Sequence, residues 1–328
     1  MALLGLVPSG KVHDMSKTST KFLKLLSRLR ARFSAGPTEA LPPQPTTIQL
    51  KQSPGLRMIV HSKFDRYISP QIAATGAWEP FETELVQRLL RPGDGFVDIG
   101  ANIGWYTIIG AARVGTKGRV YAFEPELENF DLADRNVTLN GLANVRLERA
   151  AVAERPGSAV LFLSDENLGD HRLYESSEQR RCETVPVTSL DVYFADKPGP
   201  IRLVKMDTQG SEAKIFEGLS ADLVRARDIA AFIFEYWPKG LIGAGSSPER
   251  FMERLQTLDL SCYVIQEEYR GLDPIDLDVL GQRAYGDLRP ETDRFANLLA
   301  FPRSKALPDW AVAMVRGPDA PMFYPPPA

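Results

Sequence analysis

Apolar residues cluster in short runs rich in β-branched and aromatic types, alternating with longer stretches of helical spacing. Phe96-Val97-Asp98-Ile99 follows the turn signal Pro92-Gly93-Asp94-Gly95 and predicts a buried strand. Gly100, Asn102 and Gly104 then predict a tight turn into an apolar helix over Trp105–Val114, because glycine and asparagine tolerate positive φ. Val120–Phe123 reads as the next strand, and Glu128–Asn140 as a helix stopped at Asn140-Gly141. Further strands are expected over Val145–Val152, Ala159–Leu163, Ile201–Asp207, Ala230–Phe234, Cys262–Gln266 and Ala296–Phe301. Helices are expected over Glu212–Leu219 and Pro248–Leu258. Upstream, Ile48–Val60 predicts short strands that close the sheet edge or cap the site, and Glu79–Leu90 an amphipathic helix feeding the first strand. Trp78, Glu79 and Glu82 could roof the site, with packing the plainer role for Trp78.

This alternation predicts an α/β fold, a parallel or mixed sheet with helices on both faces. Ligands of such sheets lie beyond the carboxyl ends of the strands. That rule gathers the glycine turn, Glu124, Asp207 and Glu235 onto one rim. Four regions are expected: an appendage over 1–45, a cap or edge segment over 46–92, the main domain over 93–303 and a Pro-rich tail over 304–328. In the appendage, Phe22, Leu25, Leu26, Leu29 and Phe33 fall on one helical face among basic residues only. Such a helix, over 16–34, suits an anionic membrane surface, a partner, or the protein's own body.

Composition narrows the classes. The 328 residues are 44% hydrophobic, and no apolar run is long enough to span a bilayer. A net charge of −3 gives no nucleic-acid signature. Cys182 and Cys262 are far apart, which argues against a disulfide scaffold and a cysteine-based zinc site and suits a reducing cytosol. His13, His61 and His171 share no metal-ligand spacing, so no metal is expected from them. The expected location is cytoplasmic, with peripheral contact at the inner membrane face if the basic helix binds lipid.

Glu124 ends the second strand, where a carboxylate can accept hydrogen bonds from a ribose diol. The dinucleotide fingerprint needs a middle glycine for the pyrophosphate, and Asn102 stands there; no Walker sequence is present. An NAD-dependent oxidoreductase is therefore disfavoured. A phosphate-free nucleoside with a cationic centre fits better, which is S-adenosylmethionine. Asp98 and Gly100 are expected to approach its amino-acid part, Asn102 and Gly104 to shape the turn, and Glu124 to hold the ribose.

Ser164 to Glu183 is a long polar stretch, and such stretches in compact domains are often functional. It carries Asn167, Asp170, His171, Arg172 and Tyr174. Methyl transfer to an alcohol gains from a base that takes the hydroxyl proton. His171 is the leading candidate, oriented by Asp170 or Asp207, with Asp207 itself the second. Asn167, Arg172, Glu212 and Glu235 are candidates for substrate binding. Asp207, Glu212 and Glu235 could jointly attract Mg²⁺, but their spacing alone does not establish a site, and none is assigned.

DIGANIGWYT, FEPE, NLGDHRLY, VTSLD and KMDTQGSE, in this order, resemble the FkbM family of class I S-adenosylmethionine-dependent methyltransferases. The resemblance spans roughly Trp78 to Pro238, with weaker support to Phe301. It implies a Rossmann-like, seven-stranded, mostly parallel sheet whose last strand is antiparallel. It also implies O-methylation of a hydroxylated acceptor, a sugar in a glycan or glycolipid or a natural product. One position departs: Gln209 stands where the family carries a glutamate in the segment after the fourth strand. The alternative from another class is a non-catalytic nucleoside-binding partner protein anchored by its basic helix.

Overall fold

The computed structural model describes residues 47–317, except 63–64, 177–178, 278–287, 289 and 293. The basic helix expected at 16–34 and the end of the Pro-rich tail lie outside the described residues. The strands are β1 (Thr47–Gln49), β2 (Arg57–Ile59), β3 (Gly95–Ile99), β4 (Arg119–Phe123), β5 (Val145–Glu148), β6 (Ala151–Val152) and β7 (Gly157–Leu163). They continue as β8 (Arg181–Thr188), β9 (Leu203–Met206), β10 (Ala231–Tyr236), β11 (Leu260–Gln266), β12 (Gly271–Ile275) and β13 (Ala296–Pro302).

The main sheet has the order β12-β11-β13-β10-β9-β3-β4-β5. β10, β9, β3, β4 and β5 run parallel, and β13 is antiparallel to β10. β11 pairs antiparallel with both β13 and β12. The sheet is thus mostly parallel with its antiparallel strands at one end, as the resemblance implies, but has eight strands instead of seven. The additional strand, β12, carries Pro274, and an edge is where a strand tolerates a residue with no N–H.

Along β3 and β9 the side chains alternate between faces, as the twofold period of a strand dictates. Val97, Ile99, Val204 and Met206 join a core with Phe216, Phe232, Phe234 and Phe251 on one face. Phe96 and Leu203 join Ile103, Ile108 and Leu299 on the other. On that second face Asp98 and Lys205 are register partners, so two charged groups lie next to each other inside the molecule.

Three expectations are corrected. The run Val145–Val152 is not one strand: β5 stays on β4, whereas β6 pairs with β8 in a separate sheet of order β6-β8-β7. The polar stretch from Ser164 is irregular only as far as Arg180, because Arg181–Glu183 begin β8, which pairs with β7 from Leu163↔Arg181 to Gly157↔Val187. It is the long tip of a β-hairpin. Finally, β1 and β2 do not close the main sheet; they pair with each other, and Ile59 is bonded through both backbone groups to Asn136 of the helix Leu127–Leu139. Among the described residues no helix is long and apolar enough to cross a membrane.

Candidate active site

The glycine turn after β3 folds back over the end of β4, with Gly100 N and Ala101 N donating to Phe123 O at 3.0 and 2.9 Å. Gly100 has φ +80°, and a Cβ there would lie 1.9 Å from the carbonyl oxygen of Asp207. Only glycine lets the two strand ends approach so closely. Asn102 follows at φ 49°. Its backbone N–H donates to Glu124 Oε2 at 2.8 Å, and its Nδ2 to Leu168 O at 2.9 Å. Gly104, at φ +88°, opens the helix Trp105–Val114.

Glu124 is 4% exposed. Its other oxygen accepts from Glu126 N at 2.9 Å. Burial pushes this carboxyl up to about 8, and the two backbone N–H groups offset that only in part. Asp98 lies behind the turn, 2% exposed, accepting from Thr107 Oγ1 at 2.6 Å. Burial raises it to about 6, against the pull of Lys205.

Asp207 ends β9 and faces the same cavity. Its Oδ1 accepts from Gln209 Nε2 at 3.0 Å, and its Oδ2 lies 3.7 Å from Lys205 Nζ. Gln209 thus supplies a donor where a glutamate would bring a second negative charge against Asp207. Glu212 is fully buried and reaches back over the turn before its helix. It accepts from Thr208 N (2.8 Å), Thr208 Oγ1 (2.7 Å) and Gly210 N (2.9 Å). These bonds hold the turn, and Glu212 lines neither cavity, so its place in the structure is that of a turn anchor and not the expected one beside the substrate.

Glu235 is next to Asp207 in the sheet, one step beyond the register pair Phe234↔Met206. It is 5% exposed, and its Oε1 has no hydrogen-bond partner among the described residues. Burial, then Asp207 and Glu212, push it well up.

A buried lysine anchors this acidic region. Lys205 Nζ lies 3.4 Å from Glu82 Oε1 and 4.2 Å from the Tyr106 ring centre. Burial pulls the ammonium down, but the carboxylates of Glu82, Asp207, Glu79 and Asp98 outweigh it and leave it raised. Glu79 accepts from Tyr106 Oη at 2.7 Å, and burial lifts it to about 8. Several carboxylates thus share one cation, an arrangement that favours a second positive charge nearby.

The hairpin tip closes the opposite wall. Leu168 O accepts from Asn102 Nδ2 and from Asn129 Nδ2, both at 2.9 Å, which ties the tip to the glycine turn. His171 faces the cavity, and Ser164 N donates to its Nδ1 at 3.1 Å. A backbone N–H only donates, so Nδ1 is the acceptor and the ring proton sits on Nε2. Burial, against Asp170, lowers the imidazole to about 4, so it is neutral. With Nδ1 accepting from Ser164 and Nε2 buried and carrying the proton, the ring has no free lone pair for the expected role of base.

Gly100, Asn102, Glu124, His171 and Asp207 line one cavity, with Thr208, Gln209 and Ser211 at the Asp207 end. Asn167 and Arg172 line a second cavity of about 610 Å³ on the other side of the tip, with Tyr174, Trp237 and Lys239. Arg172 is held by Asp170 through bonds of 2.5 and 2.8 Å, and its guanidinium lies 4.8 Å from the Trp237 ring centre. Glu212 and Glu235 line neither cavity. Sequence reasoning missed Lys205, Ser211 and Trp237; of these only Lys205 carried a signal, a lone charge inside the apolar run of β9. Among the described residues no group of three or more His, Cys, Asp or Glu is placed to hold a metal ion.

Residues 98–240 match the methyltransferase FkbM domain. No curated protein matches the chain. Similar solved structures include methyltransferase FkbM from Methylobacillus flagellatus, 16% identical, covering 68% of this chain and 51% of that one, with a TM-score of 0.37. A putative rRNA methylase from Clostridium thermocellum is 12% identical, with coverages of 67% and 94% and a TM-score of 0.38. A SAM-dependent O-methyltransferase from Thermotoga maritima is 16% identical, with coverages of 73% and 72% and a TM-score of 0.36.

Proposed function

We propose that the chain, whose residues 98–240 match the methyltransferase FkbM domain, uses S-adenosylmethionine to methylate a hydroxyl of a polyhydroxylated acceptor. The observation that carries this reading is the line of Asp207, the Gly100 turn and Glu124 along one cavity at the strand ends. The residues fit the donor. Glu124 offers a buried carboxyl group to ribose hydroxyls, and Gly100 and Asn102 of the turn line the same cavity. The surplus of carboxylates around Lys205 favours a cation. When bound, the donor supplies an electrophilic methyl group on its sulfonium.

The chain's own part is to align acceptor and donor and to take one proton. Asp207 carries that proton step: it lies at the cavity, part-exposed, with Gln209 Nε2 fixing one oxygen and Lys205 near the other. The second cavity, with Asn167, Arg172, Tyr174 and Trp237, holds the acceptor. Aromatic faces with hydrogen-bonding side chains around them suit a sugar unit of a glycan or glycolipid.

Calorimetric titration with S-adenosylhomocysteine, and separately with NAD, tests the donor. Binding of the first, lost in Glu124→Ala, is the expected result; binding of NAD alone would overturn the reading. For the proton step, Asp207→Asn is expected to lower kcat by about 100-fold or more on any accepted hydroxyl, with S-adenosylhomocysteine affinity kept within about threefold. An unchanged kcat would remove Asp207 from the role. Peripheral membrane contact through 16–34 extends the reading. Flotation on anionic vesicles should be lost on deletion of residues 1–45, and equal flotation of both forms would remove it.

A further inference from the structure

The helix Pro80–Leu89 carries a group of charges that neither the donor nor the acceptor cavity uses. Glu79, just before this helix, and Glu82 belong to the Lys205 cluster. Glu84, Gln87 and Arg88 instead line a separate, open groove of about 700 Å³, together with Gln52, Arg113 and Arg270. The three guanidiniums come from three places: this helix, the helix Trp105–Val114 and the turn between β11 and β12.

Each of the three is held in place. Arg113 Nε donates to two carbonyls at the end of the helix, Gln87 O at 2.8 Å and Leu90 O at 2.9 Å. Arg88 Nε donates to Glu84 Oε1 at 2.7 Å, and its guanidinium lies 5.9 Å from the Trp310 ring centre. Arg270 Nη2 donates to the other oxygen of Glu84, and its guanidinium lies 5.3 Å from the Phe81 ring centre. Arg270 also holds φ 50°, a left-handed conformation that costs an arginine energy. Glu267, on the same turn, is engaged elsewhere, accepting from Phe81 N at 2.6 Å and Glu82 N at 3.1 Å. Glu84 is thus the one carboxylate lining the groove, and Arg113 has no carboxylate partner among the described residues.

Helix capping accounts for Arg113 Nε alone, not for its terminal nitrogens. Exposed ion pairs add little stability, so folding does not explain why three like charges gather in a chain of net charge −3. Three positive groups and one negative give the groove a local charge of +2. A phosphate monoester carries about −1.5 to −2 at neutral pH and presents paired oxygens to the fork of a guanidinium. Guanidiniums already fixed by carbonyls, a carboxylate and aromatic faces lose little freedom when such a group binds.

We propose that this groove is a binding site for a phosphate monoester dianion, held by Arg113 and Arg270 with Arg88 beside them. The site is separate from both cavities and does not rest on the methyltransferase reading. The same chemistry comes from two sources, the headgroup of a phosphomonoester lipid or a soluble phosphorylated metabolite.

The full chain is titrated by calorimetry with glycerol 3-phosphate in about 50 mM salt, where exposed charges are screened less than at physiological ionic strength. Saturable binding is expected, about tenfold weaker in Arg113→Met and in Arg270→Met. It should be unchanged in Arg225→Met, which removes an exposed arginine paired with Asp222 outside the groove. Arg113→Lys keeps the charge and loses the fork, and should bind about threefold more weakly than wild type. Thermal melting of each variant guards against misfolding. Flotation on phosphatidylcholine vesicles containing phosphatidic acid then separates the sources, with phosphatidylglycerol vesicles of matched charge as the phosphodiester control. Capture by phosphatidic acid that falls in Arg113→Met marks the lipid headgroup. Glycerol 3-phosphate binding, with vesicle capture the same in wild type and Arg113→Met, marks the soluble phosphate. The site is overturned if glycerol 3-phosphate does not bind and Arg113→Met leaves capture unchanged. It is equally overturned if Arg225→Met loses as much as the groove variants, or if phosphatidylglycerol capture depends on Arg113 as strongly as phosphatidic acid capture does.

Discussion

Glu124 accepts two backbone N–H bonds, which favour its charged form, yet burial prevails and lifts it from 4.5 to about 8. Glu79 rises likewise to about 8 and Glu212 to about 7, with burial the leading cause in both. A carboxyl whose folded value exceeds its unfolded one leaves stability intact below the unfolded value and removes it as pH climbs through the folded one. His171 works in the opposite sense: lowered from 6.5 to about 4, its contribution is complete above 6.5 and is lost only as pH falls through 4. Between pH 6.5 and 8 the carboxylates alone act. The melting temperature of the ligand-free protein should therefore fall across that interval, and Glu124→Gln should fall less steeply. Parallel curves for the two would show that Glu124 is already ionised at neutral pH. At this scale the place of Glu124 at the cavity was legible, because an acid at a strand end declares its position. The tautomer of His171 was not, because it is decided by Ser164 N–H, whose direction only the folded hairpin tip sets.

Among the elements, the strand, turn and helix from Gly95 to Val114 were legible to within a residue, since a buried strand, a glycine turn and an apolar helix each leave a local pattern. The hairpin β7–β8 was not. Its strands are separated by the polar tip, so no short turn marks the pair, and the apolar run that holds β5 and β6 hides a change of sheet at Arg149-Ala150. β12 was hidden by Pro274, which argues against a strand unless the edge position is known. The glycine turn yields a sharp prediction. Gly100→Ala must combine a positive φ with a Cβ 1.9 Å from Asp207 O, so β3 and β9 must part at the rim. Its destabilisation should exceed about 2 kcal/mol in urea unfolding, with S-adenosylhomocysteine binding lost. A variant as stable as wild type and binding normally would mean the strand ends stand further apart than described.

For the whole molecule, a net charge of −3 is nearly featureless, and the informative charge is local. Glu79, Glu82, Asp98 and Asp207 come from three separate segments and converge on Lys205, a meeting that no window of sequence displays. Burial holds Asp98 at about 6 and Glu79 at about 8, so part of this surplus is protonated at neutral pH. A cation placed beside Asp207 favours the ionised carboxylates and drives protons off. S-adenosylmethionine differs from S-adenosylhomocysteine by a methyl group and the positive charge it creates on sulfur. Binding of the former should therefore release more protons, and its advantage in affinity should grow as pH rises from 6 to 8. Titrating both ligands in phosphate and in Tris, whose ionisation enthalpies differ, measures the protons directly. Equal proton release for the two ligands would mean that the sulfonium lies outside the field of the Lys205 cluster. The surplus carboxylates would then serve the acceptor side of the rim, where Glu235 Oε1 has no partner among the described residues.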